Sequence, residues 1–200
     1  MSTLLGFRSV VVVIALAQVD GHTNPHIQTV HIPELPVTSA CFHPTGSSIL
    51  ITGERPQYFT FDLQTGQTIS SPRGLWGSFA RTQNATVDTT DMTMEVCAFN
   101  PAGNVLAVGG RRGVVHLVDW TSGGGTQVVG SVKMNSPVKA LCWTRGRNGT
   151  GSQLLSLSED ADVYHWDIGE RRCINRWKDD GGFASLSMSS DRNDRYLGIG

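Results

Sequence analysis

Histidine is the side chain best suited to bind a metal ion or to move a proton near neutral pH, and the sequence contains six of them. None is spaced as in HExxH or another metal-binding motif. His116 and His165 fall in short apolar segments, where a hydrogen-bonded structural histidine is expected, and His43 precedes a turn. No GxSxG sequence offers a nucleophilic serine. The sequence therefore predicts no catalytic residue, no metal site and no enzyme activity.

Two other patterns resemble ligand sites. The acidic cluster Glu159–Asp162 has oxygens that a cation could use, but it lies in a predicted turn between strands, where an aspartate is expected to hydrogen-bond within its own sheet. The run Gly123–Gly125 is not part of a GxxxxGK[ST] motif and is typical of a flexible turn rather than a phosphate-binding loop. We expect no nucleotide and no other cofactor.

Basic pairs are the remaining candidates for a binding role. The formal net charge is −1, so no broad cationic surface is available to hold a nucleic acid by its phosphates. Any RNA contact must therefore be local, or made by partner proteins. The pairs are predicted in exposed turns, where arginine is either solvated or in contact with RNA or an acidic partner, because it binds phosphate through two hydrogen bonds. These candidates are Arg111, Arg112, Arg145, Arg147, Arg171 and Arg172.

The cysteines and the first residues bear on the cellular compartment. The four cysteines lack CxxC spacing and three fall in apolar, strand-like segments, so we expect buried, reduced thiols rather than zinc ligands or disulfides. The apolar run Val10–Ala17 resembles the end of a signal peptide, and N-glycosylation sequons begin at Asn84 and Asn148. The same run fits a buried strand and is too short to cross a bilayer, which needs about 20 apolar residues. Secretion stays open as an alternative.

The elements that position these residues are visible as an internal repeat. The segment Val37–Gly46 recurs as Met94–Gly103, then from Val138, and a fourth time around Met188. Matching positions of successive copies are 57, 44 and 45 residues apart. With 23 glycines and short runs of Val, Leu and aromatic residues, a repeat of this length predicts the blades of a β-propeller.

Each unit follows the order of a four-stranded antiparallel blade. The first strand is apolar on both faces, as expected for an inner strand between neighbouring blades, and it ends in a Pro-x-Gly turn in two copies. A second strand, a turn with Gly or acidic residues and a third strand follow, and a more polar fourth strand completes the unit. The third strands end in aspartate, once as a Trp-Asp pair. The predicted structural positions are Asp62, Asp119, Trp166 and Asp167.

The sequence predicts three complete blades between two half-blades. Val11–Val19 and Ile27–Ile32 supply the third and fourth strands of an earlier blade, and Ala184–Gly200 supplies the first two strands of a later one. Because a propeller closes with about 4–8 blades, we predict an all-β, incomplete WD-repeat β-propeller over residues 18–200, after an unmatched segment 1–17 with a misassigned start. In the alternative, the half-blades pair with each other and close a four-bladed ring, which hides their edges.

Beyond the Trp-Asp and Pro-x-Gly elements, which WD repeats share, two stretches are more specific. They are Val19-Asp20-Gly21 followed by Thr23-Asn24-Pro25, and Arg176-Trp177 followed by Asp179-Asp180-Gly181-Gly182. With these, residues 18–200 resemble the WD-repeat family that is associated with U3 small nucleolar RNA in the small-subunit processome, within its UtpB subcomplex. Family members are longer, with a charged N-terminal extension and further blades, so the resemblance implies that the chain is a truncated form.

The resemblance implies a non-enzymatic scaffold that packs around the precursor of small-subunit ribosomal RNA in the nucleolus and supports its cleavage and folding. The implied partners are other WD-repeat subunits of the UtpB subcomplex, with U3 ribonucleoprotein and pre-rRNA reached through the assembly. It implies no cofactor, no membrane and no small-molecule substrate. The first alternative is a generic WD-repeat adaptor outside the nucleolus, and the second is a secreted propeller.

Overall fold

The computed structural model describes residues 8–14, 26–33, 37–53, 58–63, 65, 67–70, 94–120, 127–145, 153–178, 187–190 and 196–200. The regular elements in these ranges are all β-strands, which confirms the all-β class. In this part of the chain we find no helix of a length and hydrophobicity that could span a membrane.

The strands form antiparallel sheets in the order of the chain. A two-stranded sheet contains β1 (Arg8–Ile14) and β2 (His26–Pro33). Blade 1 contains β3 (Val37–Phe42), β4 (Ser48–Gly53), β5 (Tyr58–Asp62) and β6 (Thr68–Ser70). Blade 2 contains β7 (Val96–Phe99), β8 (Val105–Gly109), β9 (Val114–Asp119) and β10 (Gln127–Lys133). Blade 3 contains β11 (Val138–Thr144), β12 (Gln153–Ser158), β13 (Asp162–Asp167) and β14 (Arg172–Lys178). The last sheet contains β15 (Met188–Ser190) and β16 (Leu197–Ile199).

This order confirms three four-stranded blades between two half-blades. In the alternative, the two half-blades pair with each other and close a four-bladed ring. This alternative is wrong for the described residues, because β1–β2 and β15–β16 form two separate sheets and no strand of one is hydrogen-bonded to a strand of the other. The strand β1 begins at Arg8, within the segment 1–17. The domain boundary at residues 17 and 18 stays a prediction.

Neighbouring blades are joined along their first strands. The strand β3 lies beside β7, β7 beside β11, and β11 beside β15. The second strands are buried at every position after the first, and their residues Leu50, Leu106 and Leu154 are at most 1% exposed. The prediction that the first strands are buried on both faces is wrong for β3, in which half-buried and exposed residues alternate. The reason is that β7 and β11 each lie between two other first strands, whereas among the described strands β3 lies beside one, β7.

The core lies between the blades. One apolar cluster joins Leu117 and Val132 of blade 2 to Leu154 and Trp166 of blade 3. A second cluster joins Leu50 of blade 1 to residues of blade 2. The fourth strand β14 is exposed at every position, as predicted for an outermost, more polar strand. The blades therefore stack face to face, and their connecting turns are left at the two ends of the stack.

Candidate functional site

The Trp-Asp pair of β13 is anchored by a chain of hydrogen bonds between blades 2 and 3. Trp166 Nε1 donates to Ser156 Oγ at 2.8 Å, and the Ser156 hydroxyl donates to Met134 Sδ at 2.9 Å. Ser156 is fully buried and Trp166 is 6% exposed, so water does not replace these partners. A buried indole N–H without an acceptor costs about 1–3 kcal/mol. Ser156 therefore supplies the acceptor that Trp166 needs in this position.

An aromatic and ionic cluster covers one face of β13. Tyr164 stacks on Trp166 with ring centroids 5.5 Å apart, and the Arg176 guanidinium lies 5.0 Å from the centroid of the Tyr164 ring. Arg176 Nη2 also lies 2.5 Å from Asp162 Oδ2. The hydrogen bond to Asp162 raises the pKa of Arg176. Asp162, the last residue of the acidic cluster, is thus paired within its own blade, as the sequence predicts.

The aspartates at the ends of the third strands shape the hairpins that follow. Asp62 Oδ1 accepts a hydrogen bond from the backbone N–H of Thr65 at 2.8 Å, and Asp167 Oδ1 accepts one from Glu170 N at 3.0 Å. Aspartate side chains commonly close turns in this way. Asp119 ends β9 at the corresponding position and is followed by Trp120, after which the residues lie outside the described ranges.

The Pro-x-Gly turns of blades 1 and 2 meet through His43. Its Nδ1 accepts a hydrogen bond from Thr45 N at 3.3 Å, so Nε2 carries the proton and donates to Gly103 O at 2.9 Å. The ring meets Phe99 edge-on, with centroids 5.0 Å apart. A Cβ at Gly103 would lie 2.6 Å from the imidazole, so only glycine allows this close approach. His43 therefore joins neighbouring blades rather than facing a substrate.

The first arginine pair lies at one end of the blade stack. Arg111 and Arg112 are in the turn between β8 and β9, which lies beside the start of β11 because Val138 N donates to Gly110 O at 3.1 Å. Arg111 Nε is 2.5 Å from Glu95 Oε1. Arg111 is 65% exposed, so the ion pair is largely solvated and its guanidinium faces outwards.

Arg145, Arg171 and Arg172 lie at the opposite end. Arg145 directly follows β11, and the turn with Arg171 and Arg172 joins β13 to β14. In an antiparallel sheet the turns after the first and third strands share one end. The structure thus brings Arg145 to the same end as Arg171 and Arg172, and places the first pair at the other. Arg147 lies outside the described residues.

Arg171 bonds blade 3 to blade 2. Its Nη2 donates to Val129 O on β10 at 2.5 Å, and its guanidinium packs over Gly130, where a Cβ would lie 3.0 Å from Nε. Its backbone has a φ of 53°, which side-chain-bearing residues rarely adopt. Arg172 forms a hydrogen-bonded ion pair with Glu170, and the hydrogen bond in this pair raises the pKa of Arg172. Arg171 therefore has a hydrogen-bond partner on the neighbouring blade, Val129, which its position in a predicted turn did not indicate.

Burial sets the protonation of the two histidines predicted on third strands, which do lie on β9 and β13. It lowers the pKa of His116 to about 4. Burial also lowers the pKa of His165, against the opposing charge of Asp167. His165 Nε2 lies 3.1 Å from Gln153 Oε1, and its ring stacks on the half-exposed Trp177 with centroids 5.9 Å apart. Among the described residues, no group of three His, Cys, Asp or Glu side chains is arranged to hold a metal ion.

The thiols differ in burial. All four cysteines are free; Cys97 is buried, Cys41 and Cys142 are half-buried, and Cys173 is exposed. The prediction of buried thiols is therefore wrong for Cys173, because the fourth strand β14 has no sheet neighbour on its outer side. Cys41 and Cys97 lie on neighbouring first strands with their Sγ atoms 3.3 Å apart. Spacing in the sequence gave no sign of this contact.

Sequence reasoning missed Ser156 and Met134, which complete the chain of hydrogen bonds from Trp166. A signal was present in the sequence: Met94 and Met134 both precede a first strand, and both are 1% exposed. A long apolar side chain in a predicted connection indicates that this connection packs into the core.

Comparison with known proteins bears on the family. The chain is 30% identical to the human U3 small nucleolar RNA-associated protein 18 homolog and 28% identical to the mouse homolog, over 94% of this chain in each case. It spans 30% and 31% of the lengths of these two relatives. No protein-family model matches the chain.

A solved structure supports the fold independently. The WD40 repeats of RRP9 superpose with a TM-score of 0.61 at 19% identity, over 78% of this chain and 42% of that one. At this identity the likeness concerns the fold alone, and it agrees with the observed blades. The relatives confirm the resemblance found in the sequence. The chain thus has the WD-repeat β-propeller fold and is homologous, over 94% of its length, to part of the U3 small nucleolar RNA-associated protein 18 proteins.

Proposed function

We propose that the chain acts as a non-enzymatic scaffold subunit of the small-subunit processome and supports pre-rRNA processing in small ribosomal subunit biogenesis. The observation that carries this proposal is the similarity, along nearly the whole chain, to proteins named for their association with U3 small nucleolar RNA. Because the chain spans less than a third of these two relatives, the proposal concerns what this propeller region contributes.

The packing between blades supports a scaffold. His43 of blade 1 bonds Gly103 of blade 2, and Arg171 of blade 3 bonds Val129 of blade 2. These contacts lie close to the turns that a partner would meet, so they fix the spacing of those turns before binding. A surface that is already ordered loses less conformational entropy when a partner binds.

The proposed partners are other WD-repeat subunits of the UtpB subcomplex, with U3 ribonucleoprotein and pre-rRNA bound through the assembly. We propose the end that carries Arg145, Arg171 and Arg172 as the main contact, and the Arg111–Arg112 turn at the other end as a second one. Ion pairing at Arg111 and Arg172 does not prevent this, because a guanidinium has five N–H donors and an exposed ion pair is weak.

Reversing charge at one end at a time tests the contact. One variant carries Arg145→Glu and Arg172→Glu, and the matched variant carries Arg111→Glu and Arg112→Glu; Arg171 is kept because it joins two blades. We expect the first variant to reduce co-sedimentation with pre-ribosomal particles more than the second. If both variants sediment with the particles as the unchanged protein does, the arginines are not the contact.

Localisation separates the proposal from its alternatives. A tagged chain is expected in the nucleolus, with unchanged mobility after glycosidase treatment. A diffuse cytoplasmic protein with a stable set of other partners would favour the generic adaptor. A secreted, glycosidase-sensitive form would favour the secreted propeller. The sequon residues Asn84 and Asn148 lie outside the described ranges, so this experiment addresses them directly.

A further inference from the structure

Two thiols meet where blades 1 and 2 are joined. Cys41 lies on β3 and Cys97 on β7, 56 residues apart in the chain, and their Sγ atoms are 3.3 Å apart. The two strands belong to different sheets and are not hydrogen-bonded to each other as a ladder. A disulfide at this position would therefore add a covalent side-chain link between two blades that are consecutive in the chain and whose described side chains make non-covalent contacts.

We propose that Cys41 and Cys97 form a site of reversible oxidation by hydrogen peroxide, at which a disulfide locks blade 1 to blade 2. The geometry carries the proposal: a disulfide has an S–S length of about 2.05 Å, so the sulfurs must close by about 1.3 Å. Rotation of two side chains on neighbouring strands can supply a movement of this size without a change of strand register. Neither Cys142 nor Cys173 has a described thiol within bonding contact; their sulfurs contact oxygen atoms.

The surroundings give the two sulfurs different roles. The hydrogen bond between the two thiols lowers the pKa of Cys97 against the opposing effect of burial, and the hydroxyls of Ser39 and Thr52 add to the lowering. The hydrogen bond with Cys97, together with burial, raises the pKa of Cys41. Cys97 is therefore the sulfur that is deprotonated first, and the thiolate is the nucleophilic form of cysteine.

The reaction then runs in two balanced steps. The Cys97 thiolate attacks one oxygen of hydrogen peroxide, so that an S–O bond forms and the O–O bond breaks. The products are a sulfenic acid at Cys97 and a hydroxide ion, which takes up the proton lost by the thiol and leaves as water. Cys41 then loses its proton and attacks the Cys97 sulfur, and the hydroxyl group leaves as a second water. Two thiols and one peroxide thus yield one disulfide and two waters, the two electrons passing to the peroxide. Hydrogen peroxide is the chosen oxidant class because it is a small, uncharged two-electron oxidant, and the buried Cys97 has the half-buried Cys41 beside it.

The test uses the whole 200-residue protein, reduced and then exposed to stoichiometric hydrogen peroxide before alkylation and peptide mapping. We expect an intramolecular Cys41–Cys97 linkage that dithiothreitol reverses, while Cys142 remains alkylated. The oxidised protein should also unfold at a higher temperature than the reduced one, because the linkage restricts the unfolded chain. A Cys173→Ser background removes the exposed thiol and with it the main source of cross-links between molecules.

Two outcomes would overturn the proposal. One is that Cys41 and Cys97 still react with the alkylating agent, and are therefore still reduced, at a peroxide dose that has already oxidised Cys173 in the unchanged protein. The other is that Cys97 accumulates as sulfinic acid, which would mean that Cys41 does not reach it. Peptide mapping of the protein without substitutions at Cys41 or Cys97 gives either answer, so the test does not depend on a variant that fails to fold.

Discussion

Trp166 of β13 donates its indole hydrogen bond to Ser156 of β12, and Ser156 in turn donates to Met134, which belongs to the connection between blade 2 and blade 3. Trp166, the tryptophan of the Trp-Asp pair, is thus hydrogen-bonded within its own blade. Through Ser156 it is also linked to the connection between blades 2 and 3. Because all three side chains are at most 6% exposed, the chain of bonds couples the stability of blade 3 to its junction with blade 2.

Replacing Ser156 by alanine should destabilise the protein by about 1–3 kcal/mol, because the buried Trp166 indole loses its acceptor. Trp166→Phe removes the same bond, so the double variant should lose less than the sum of the single losses. Chemical denaturation measures these differences. Ser131→Ala, at an exposed position of β10, is the matched control and should stay within about 0.5 kcal/mol. Strictly additive losses would show that the bond does not couple the two residues.

Gly113→Ala should destabilise the protein by about 2 kcal/mol or more, because two effects add. The φ of Gly113 is 71°, and a Cβ there would lie 2.5 Å from the backbone oxygen of Ser136. Gly46→Ala is the matched control: its φ is 73°, but a Cβ there meets nothing within 4 Å. The control should therefore cost only about 1 kcal/mol for the backbone conformation. Equal losses in thermal or chemical unfolding would contradict the close approach at Gly113.

Arg171→Ala should lower stability by about 1 kcal/mol, through loss of the hydrogen bond to Val129 O and of the packing over Gly130. Alanine keeps the same positive φ cost, so the difference reports the side chain. Arg172→Ala, one residue further along, is the control and should unfold like the unchanged protein, because its ion pair with Glu170 is solvated. A loss at position 172 as large as at 171 would argue against a specific bond between blades.

Stability should fall as the pH is lowered from about 6.5 to about 4, because the pKa of His116 is about 4 in the folded protein and 6.5 as its ordinary value. The unfolded chain binds a proton in this window before the folded chain does, so acid favours unfolding, by at most about 3 kcal/mol. Denaturation midpoints at several pH values measure the slope. His116→Gln should flatten it in this window, whereas His165→Gln should flatten it less, since Asp167 opposes the effect of burial at His165. If the slope of stability against pH is the same in His116→Gln as in the unchanged protein, the pKa of His116 is not lowered in the folded state.

Much of the architecture could be predicted because it repeats. The aspartates at positions 62, 119 and 167 recur at the ends of third strands, and such local turn chemistry is encoded within four or five residues. The contacts of Arg171 could not be predicted in the same way. Its position in a turn indicated an exposed cation, whereas its bond to Val129 depends on how two blades stack.

The sequence by itself determined the blades: its repeat, its Pro-x-Gly turns and its strand-ending aspartates are local signals, and each is completed within one sheet. Only the tertiary structure decided which side chains meet between sheets, as Cys41 does with Cys97, His43 with Gly103 and Arg171 with Val129. The physical reason is that hydrogen bonds within a sheet follow from strand order. Contacts between sheets depend instead on the stacking distance and rotation of whole blades, which no short stretch of sequence encodes.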